Sequence, residues 1–231
     1  MFKEYLELFN AKEFNKILQY FRKNFSCLGE EKEYKKNEFL IFNTGNEIIM
    51  FEDGAADIGI EGCSGKECLL YKIVEKGDLI GDSDFFSNKN NSYIIKFVED
   101  TKLRFISKEE IEEFLEEHPE GYKYFYKYVL RSHNISLNYL VHHRFSSSEE
   151  RIIEFLIRIA ASSSTSLEDN KNILISNYTH ESIGSFTNLS RNLVSKILKN
   201  LEKLDLIKVE FKKIILVDIE KLELYRETLR K

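Results

Sequence analysis

Apolar residues recur at helical spacing near the start of the chain, where Leu6, Phe9, Phe14, Ile17, Leu18 and Phe21 predict one or two short helices within residues 1–25. From about residue 33 the texture changes. The segments FLIF (39–42), EIIMF (47–51), ADIGI (56–60), ECLLYKIV (67–74), YIIKFV (93–98) and KLRFIS (102–107) are short and rich in β-formers, and turns containing Gly, Asn or Asp divide them. Short strands at this spacing predict an antiparallel barrel or roll. SKEEIEEFLEEHPE then reads as a helix capped by Ser107, with Glu110 as its reciprocal partner.

The single proline, Pro119, is placed at the start of the next helix, which runs to about residue 145 without a further Gly or Pro after Gly121. Tyr122, Phe125, Tyr126, Val129, Leu137, Leu140 and Val141 give it an imperfect apolar stripe. At about 1.5 Å per residue it reaches roughly 39 Å, too long for one small domain to cover. A second copy of the chain buries such a stripe most simply; the alternative is a helix lying across its own barrel. Ser146–Ser148 break the pattern and cap a helix at 149–161, so a hinge is expected near 144–148. SSSTSLEDNKN (162–172) reads as a loop and ILIS (173–176) as a short strand.

The pattern sharpens after residue 178. Thr179 caps a short helix that buries Ile183 and Phe186; TNL (187–189) makes a tight turn, with Asn188 where a left-handed backbone is needed; Ser190 caps a second helix, 191–203. On that helix Arg191, Asn192, Ser195, Lys196 and Lys199 share an arc of about 140°, opposite Leu193, Val194, Ile197, Leu198 and Leu201. A solvated face accounts for Lys199 and Lys203, but a helix-turn-helix accounts for the whole arrangement. KVEFKKIILVD (208–218) follows as a two-stranded wing with Lys212 and Lys213 at its tip. Arg pairs with guanine O6 and N7 and Asn with adenine, so Arg191, Asn192, Ser195 and Lys196 are the candidate base readers. Thr179, His180, Ser190, Lys199, Lys212 and Lys213 are the candidate contacts to the DNA backbone.

Charge supports this assignment. The net charge of −5 divides into +4 over residues 170–231, with 12 Lys/Arg against 8 Asp/Glu, and −9 over the remainder. An acidic body with a basic end suits a chain that meets a polyanion at that end. No apolar run is long enough to span a membrane and the first ten residues are too charged for a secretory signal, so a soluble cytoplasmic protein is expected, without a membrane partner. Three cysteines and five scattered histidines support neither a disulfide framework nor a metal site. Cys63 and Cys68 flank an expected hairpin turn and are the candidate redox pair, although two ordinary thiols on adjacent strands explain them more simply. Pairs such as Glu109–Glu110 lie on a charged helix, and no nucleophile–base arrangement points to an enzyme.

The stretch THESIGSFTNLSRNLVSKILKNLEKLDLI resembles the winged helix of the cyclic AMP receptor protein/FNR family of bacterial transcription regulators. Thr179, Glu181, Ile183, Gly184, Ser190, Arg191, Val194, Ser195, Lys196, Leu198, Leu201, Leu206 and Ile207 meet that pattern, while Asn188 and Asp205 replace its glycines and Asn192 stands where Glu is common. KKNEFLIFNTGNEIIMFEDGAADIGI and VEKGDLIGDSDFF resemble the family's β-roll, and 120–145 its dimer helix. The resemblance implies an α+β chain: a sensor-like, cyclic-nucleotide-binding-like jelly roll (1–118), a dimerisation helix (119–145; Tyr122, Tyr126, Val129, Leu137, Leu140, Val141) and a winged helix-turn-helix (146–231). It implies a homodimer on an inverted-repeat site in double-stranded DNA, with RNA polymerase as a further candidate partner.

The family's nucleotide pocket maps to Gly81, Asp82, Ser92 and Tyr93. Ser92 stands where the phosphate-binding Arg belongs, so control by cyclic AMP is not expected. No cofactor is expected either, and an unidentified small-molecule effector is left open. The competing reading is a cyclic-nucleotide-binding regulatory or protein-interaction module without sequence-specific DNA binding.

Overall fold

The computed structural model describes residues 3, 11–61, 67–73, 76–87, 89–163, 171–176, 178–210 and 213–229. They divide into two compact units, one of Glu13–Ser132 and one of the remaining described residues, those before Glu13 and those from His133 onward.

In the first unit, helix α1 (Ala11–Phe25) precedes strands β1 (Glu30–Tyr34), β2 (Phe39–Asn43), β3 (Glu47–Asp53), β4 (Ala56–Glu61), β5 (Glu67–Ile73) and β6 (Leu79–Ile80). A short helix α2 (Asp82–Ser87), strands β7 (Ser92–Phe97) and β8 (Thr101–Ser107), and helix α3 (Lys108–Glu117) follow. The strands form two antiparallel sheets, ordered β1-β8-β3-β6 and β2-β7-β4-β5. Strand β3 is buried on both faces, which is why EIIMF shows no alternation. Its Ile49 and Phe51 join Phe42, Ile58, Ile95, Phe97, Leu103 and Phe105 between the sheets. Its Ile48 and Met50 pack with Phe14, Phe21 and Phe25 of α1 and with Ile111 and Leu115 of α3.

Three elements here have no counterpart in the sequence expectations: β1, β6 and α2. Strand β1 reads EEKEY and lacks an apolar pattern. It pairs at the sheet edge because β8 sets Arg104 opposite Glu31 and Lys102 opposite Glu33. The ion pairs measure 2.7 Å for Lys102–Glu33 and 3.3 Å for Arg104–Glu31. The exposed Lys102–Glu33 pair contributes only about a few tenths of a kcal/mol, whereas Arg104 is largely buried; the charges favour the register and the backbone ladder carries the strand. The Ser107–Glu110 capping box forms, and Glu110 also accepts from the backbone N–H of Gly29 at 2.8 Å.

Helix α4 (Gly121–Phe145) contributes residues to both units. Pro119 lies outside it, in the turn before Gly121, rather than at its start. Of the predicted stripe, Phe125 is buried in its own unit beside Tyr128, because it faces Phe21 and Phe25 of α1. Tyr126 (65% exposed), Leu140 (63%), Tyr122 and Leu137 remain open, as do Leu130 and Phe145. Val129 is half-buried, and the side chain of Val141 lies outside the described residues.

In the second unit, α5 (Ser148–Ser163) is capped by Ser147, whose hydroxyl accepts from the N–H of Glu150 while Glu150 accepts from the N–H of Ser147. Then come β9 (Lys171–Ser176), α6 (His180–Thr187), α7 (Arg191–Lys203), β10 (Ile207–Glu210), β11 (Lys213–Asp218) and α8 (Ile219–Thr228). The wing is wider than a hairpin: β9 joins β11, giving the order β10-β11-β9. A buried ion pair between Arg226 and Glu154, at 3.3 Å, ties α8 to α5.

Candidate functional site

The polar arc of α7 is held outward by its apolar side. Val194, Ile197, Leu198 and Leu201 are buried, whereas Arg191, Asn192, Lys196 and Lys199 are exposed. The approach to α7 is fixed by four local devices. Thr179 and Ser182 form a reciprocal cap on α6, and Asn188 ends α6 in the left-handed conformation (φ 54°, ψ 47°). The N–H of Leu189 then bonds the carbonyl of Gly184 at 2.8 Å. Gly184 is required by that close approach: a Cβ there would stand 2.6 Å from the carbonyl oxygen of Leu189. Ser190 caps α7 through the N–H of Leu193. Beyond α7 the chain turns through Asp205, also left-handed (φ 54°), into the wing.

Two of the predicted DNA-contacting residues are engaged with each other. Nδ1 of His180 lies 2.7 Å from Oγ of Ser195, which links the start of α6 to the middle of α7. Partial burial, and then the charges of Arg191 and Lys199, hold the His180 imidazole below its ordinary pKa. Ser195 is accordingly half-buried, unlike its polar neighbours. Thr179 and Ser190 sit at the two helix starts with their side chains engaged in capping. Lys213 is exposed at the start of β11; Lys212 lies outside the described residues.

Sequence reasoning missed the residues that tie down the far end of α6. The Tyr139 hydroxyl donates to the carbonyl of Phe186 at 2.6 Å, and Arg151 donates to that of Thr187 at 3.3 Å. Neither contact follows a local pattern, because α4 and α5 meet α6 only in the folded chain.

Among the four candidate pocket residues of the roll, Tyr93 lies within electrostatic range of Asp82. Gly81 takes a left-handed turn (φ 91°), and Asp82 is buried at the start of α2. Burial first, and then the neighbouring Asp78, raise the Asp82 carboxyl from 3.8 to about 7. Ser92 is exposed at the edge pairing with Asn43. Tyr93 is half-buried, its hydroxyl pushed up to about 12 by burial and then by Asp84 and Asp82. Asp84, which the sequence did not single out, is the centre of this cluster: it accepts from Thr44 Oγ1 at 2.7 Å and from Asn91 Nδ2 at 2.6 Å. Two carboxyls line the region, and no arginine occurs between Arg22 and Arg104. Asp84 and, once ionised, Asp82 repel an anion, and none of Gly81, Asp82, Ser92 and Tyr93 offers a cationic donor to a desolvated cyclic phosphate, so these four residues fit that ligand poorly.

Cys63 and Lys212, and the side chain of Cys68 on β5, lie outside the described residues. Among the described residues no group of His, Cys, Asp or Glu is arranged to hold a metal ion, and no helix is long and apolar enough to cross a membrane.

Residues 31–118 match the family model of the cyclic nucleotide-binding domain and residues 150–225 that of the Crp-like helix-turn-helix domain. A search of curated proteins finds no match. Among solved structures, the fold is similar to that of a CooA variant from Carboxydothermus hydrogenoformans, with 21% identity, 85% of this chain and 87% of that one covered, and a TM-score of 0.70. It is similar to CprK complexed with OCPA at 19% identity, over 88% and 92% of the two chains, with a TM-score of 0.69. A transcriptional regulator of the CRP/FNR family from Thermus thermophilus is similar at 15% identity, over 86% and 98%, with a TM-score of 0.65.

Proposed function

We propose that this chain, which belongs to the cyclic AMP receptor protein/FNR family of bacterial transcription regulators, works as a homodimer on an inverted-repeat site in double-stranded DNA. The observation that carries the proposal is the exposed face of α7, held outward by a buried apolar face and a left-handed turn at Asn188. Arg191, Asn192, Ser195 and Lys196 read base edges in the major groove, with Asn192 favouring adenine. Thr179, His180, Ser190, Lys199, Lys212 and Lys213 set the register on phosphates. Two-fold pairing along α4 buries Tyr122, Tyr126, Leu137 and Leu140, and it places two reading helices on two half-sites.

Cyclic AMP is not the trigger in this proposal. The acidic cluster of Asp82 and Asp84 and the exposed Ser92 support that statement. Selection of bound duplexes from a random pool by the purified protein, with and without cyclic AMP, tests the whole. An inverted repeat recovered equally in both arms is the expected result; a motif that appears only with cyclic AMP overturns the ligand assignment.

A further inference from the structure

The contact between His180 and Ser195 has a chemical consequence for base reading. A serine hydroxyl in a groove is ambiguous, since it can donate its proton to a base acceptor or accept from an exocyclic amine. In this protein the ambiguity is removed by a second residue. We propose that His180 is a positioning residue that holds the Ser195 proton and so makes Ser195 a hydrogen-bond acceptor in the groove, selecting a base with an exocyclic amine, adenine or cytosine. The inference rests on the DNA-binding role proposed above.

The geometry is a 2.7 Å contact from Nδ1 to Oγ. A neutral ring can meet a hydroxyl at that distance in two ways, with Nδ1 as acceptor or as donor. The surroundings select between them. The ring is partly buried, and Arg191 and Lys199 of α7 act on it; on its own helix the adjacent carboxylate is Glu181, which is exposed. These groups and partial burial disfavour the imidazolium and hold the ring neutral at neutral pH. With the ring proton on Nε2, that nitrogen donates to a DNA phosphate and Nδ1 accepts from Ser195. The ring then serves both partners at once. The other tautomer leaves Nε2 an acceptor facing a polyanion. Protonation of the ring reverses the polarity: Nδ1–H donates to Ser195, whose own O–H is freed to donate to guanine O6 or N7 or to thymine O4.

Duplex selection with the full chain tests this, at about pH 8 and at the most acidic pH that the folded protein and the duplexes tolerate, because the ring titrates below the ordinary histidine range. Ser195→Ala identifies the base position concerned, because preference is lost there alone. At that position the wild type should enrich adenine or cytosine at the higher pH and shift toward guanine or thymine at the lower. His180→Ala should lose roughly three- to tenfold of the preference there, the worth of one net hydrogen bond, keep the rest of the motif, and show no shift with pH. A general loss of affinity is expected as well, because His180 also meets a phosphate; a His180→Ala motif that keeps the wild-type preference at the Ser195 position overturns the inference and leaves the DNA-binding reading intact. No motif from the wild type under either condition overturns both. Should His180→Ala fail to fold, nitrogen-15 NMR of the histidine-labelled wild type decides: an unprotonated Nδ1 at neutral pH is expected, and a protonated one overturns the proposal.

Discussion

Asn188 and Asp205 bracket the exposed helix α7, and both hold the left-handed backbone, each at φ 54°. They replace the two glycines of the family pattern. Asparagine and aspartate reach this region more readily than other residues with a Cβ, yet not without cost. Helix α7 is therefore bounded by two turns that are held at a small expense.

That relationship predicts an asymmetry on substitution. Asp205→Gly should raise stability by up to about 1 kcal/mol, with the entropy of the added glycine offsetting part of the gain. Asn188→Val should lower it by about 1–3 kcal/mol, because a β-branched residue does not tolerate the turn. Urea unfolding of the full chain, with the midpoint compared at constant slope, measures both.

Arg191→Ala should remove most discrimination between the selected duplex and a random one, and should leave a folded dimer. A bidentate Arg–guanine contact accounts for about 1–3 kcal/mol, or roughly 5- to 150-fold. Fluorescence anisotropy with the two duplexes reads the ratio; an unchanged ratio would remove Arg191 from the reading set.

Lys199→Ala and Lys212→Ala should behave differently from Arg191→Ala. Each should weaken all duplexes alike and reduce the slope of log K against log salt by about 1. A loss confined to one sequence would contradict the phosphate assignment.

The open stripe of α4 predicts that Tyr126→Glu or Leu140→Glu produces monomers, since two like charges would face each other across the two-fold axis. Sedimentation should report the change of mass, and affinity for the inverted repeat should fall by more than about tenfold as the linkage of two half-sites is lost.

Asp82 gives a pH dependence of known sign. Its folded pKa, about 7, lies above the ordinary 3.8. The group's contribution is fully present below pH 3.8 and is lost as the pH rises through about 7, where the buried carboxylate must ionise. Asp82→Asn should therefore be more stable than the wild type at pH 8, by about 2–4 kcal/mol, and the difference should close on acidification. Thermal unfolding of both proteins across the range measures it; a gap that widens at low pH would reverse the assignment.

How much of this was legible beforehand varies with the range of the interaction. The cap at Ser107 depends on a residue three positions away, and the left-handed turn at Asn188 on one amide and two adjacent carbonyls, so both could be read in a short window. The polar arc of α7 was legible for the same reason: a 3.6-residue period places its members on one side whatever surrounds it. Strand β1 was not, because EEKEY has no apolar period and forms only opposite the charges of β8.

The sequence by itself determined most of the elements, the polar face of α7 and the two turns that bound it, since these follow from backbone geometry and amphipathic period over a few residues. The tertiary structure decided what each polar group is paired with. It brought Asp84 together with Thr44, forty positions earlier, and so made the roll pocket acidic. It sorted the aromatic residues of α4, burying Phe125 and Tyr128 against α1 and leaving Tyr122 and Tyr126 open. It also set His180 against Ser195, fifteen positions apart on two helices. Neither residue's spacing reveals that bond, because it depends on the angle at which α6 and α7 cross, and side-chain packing sets that angle only once the chain has folded.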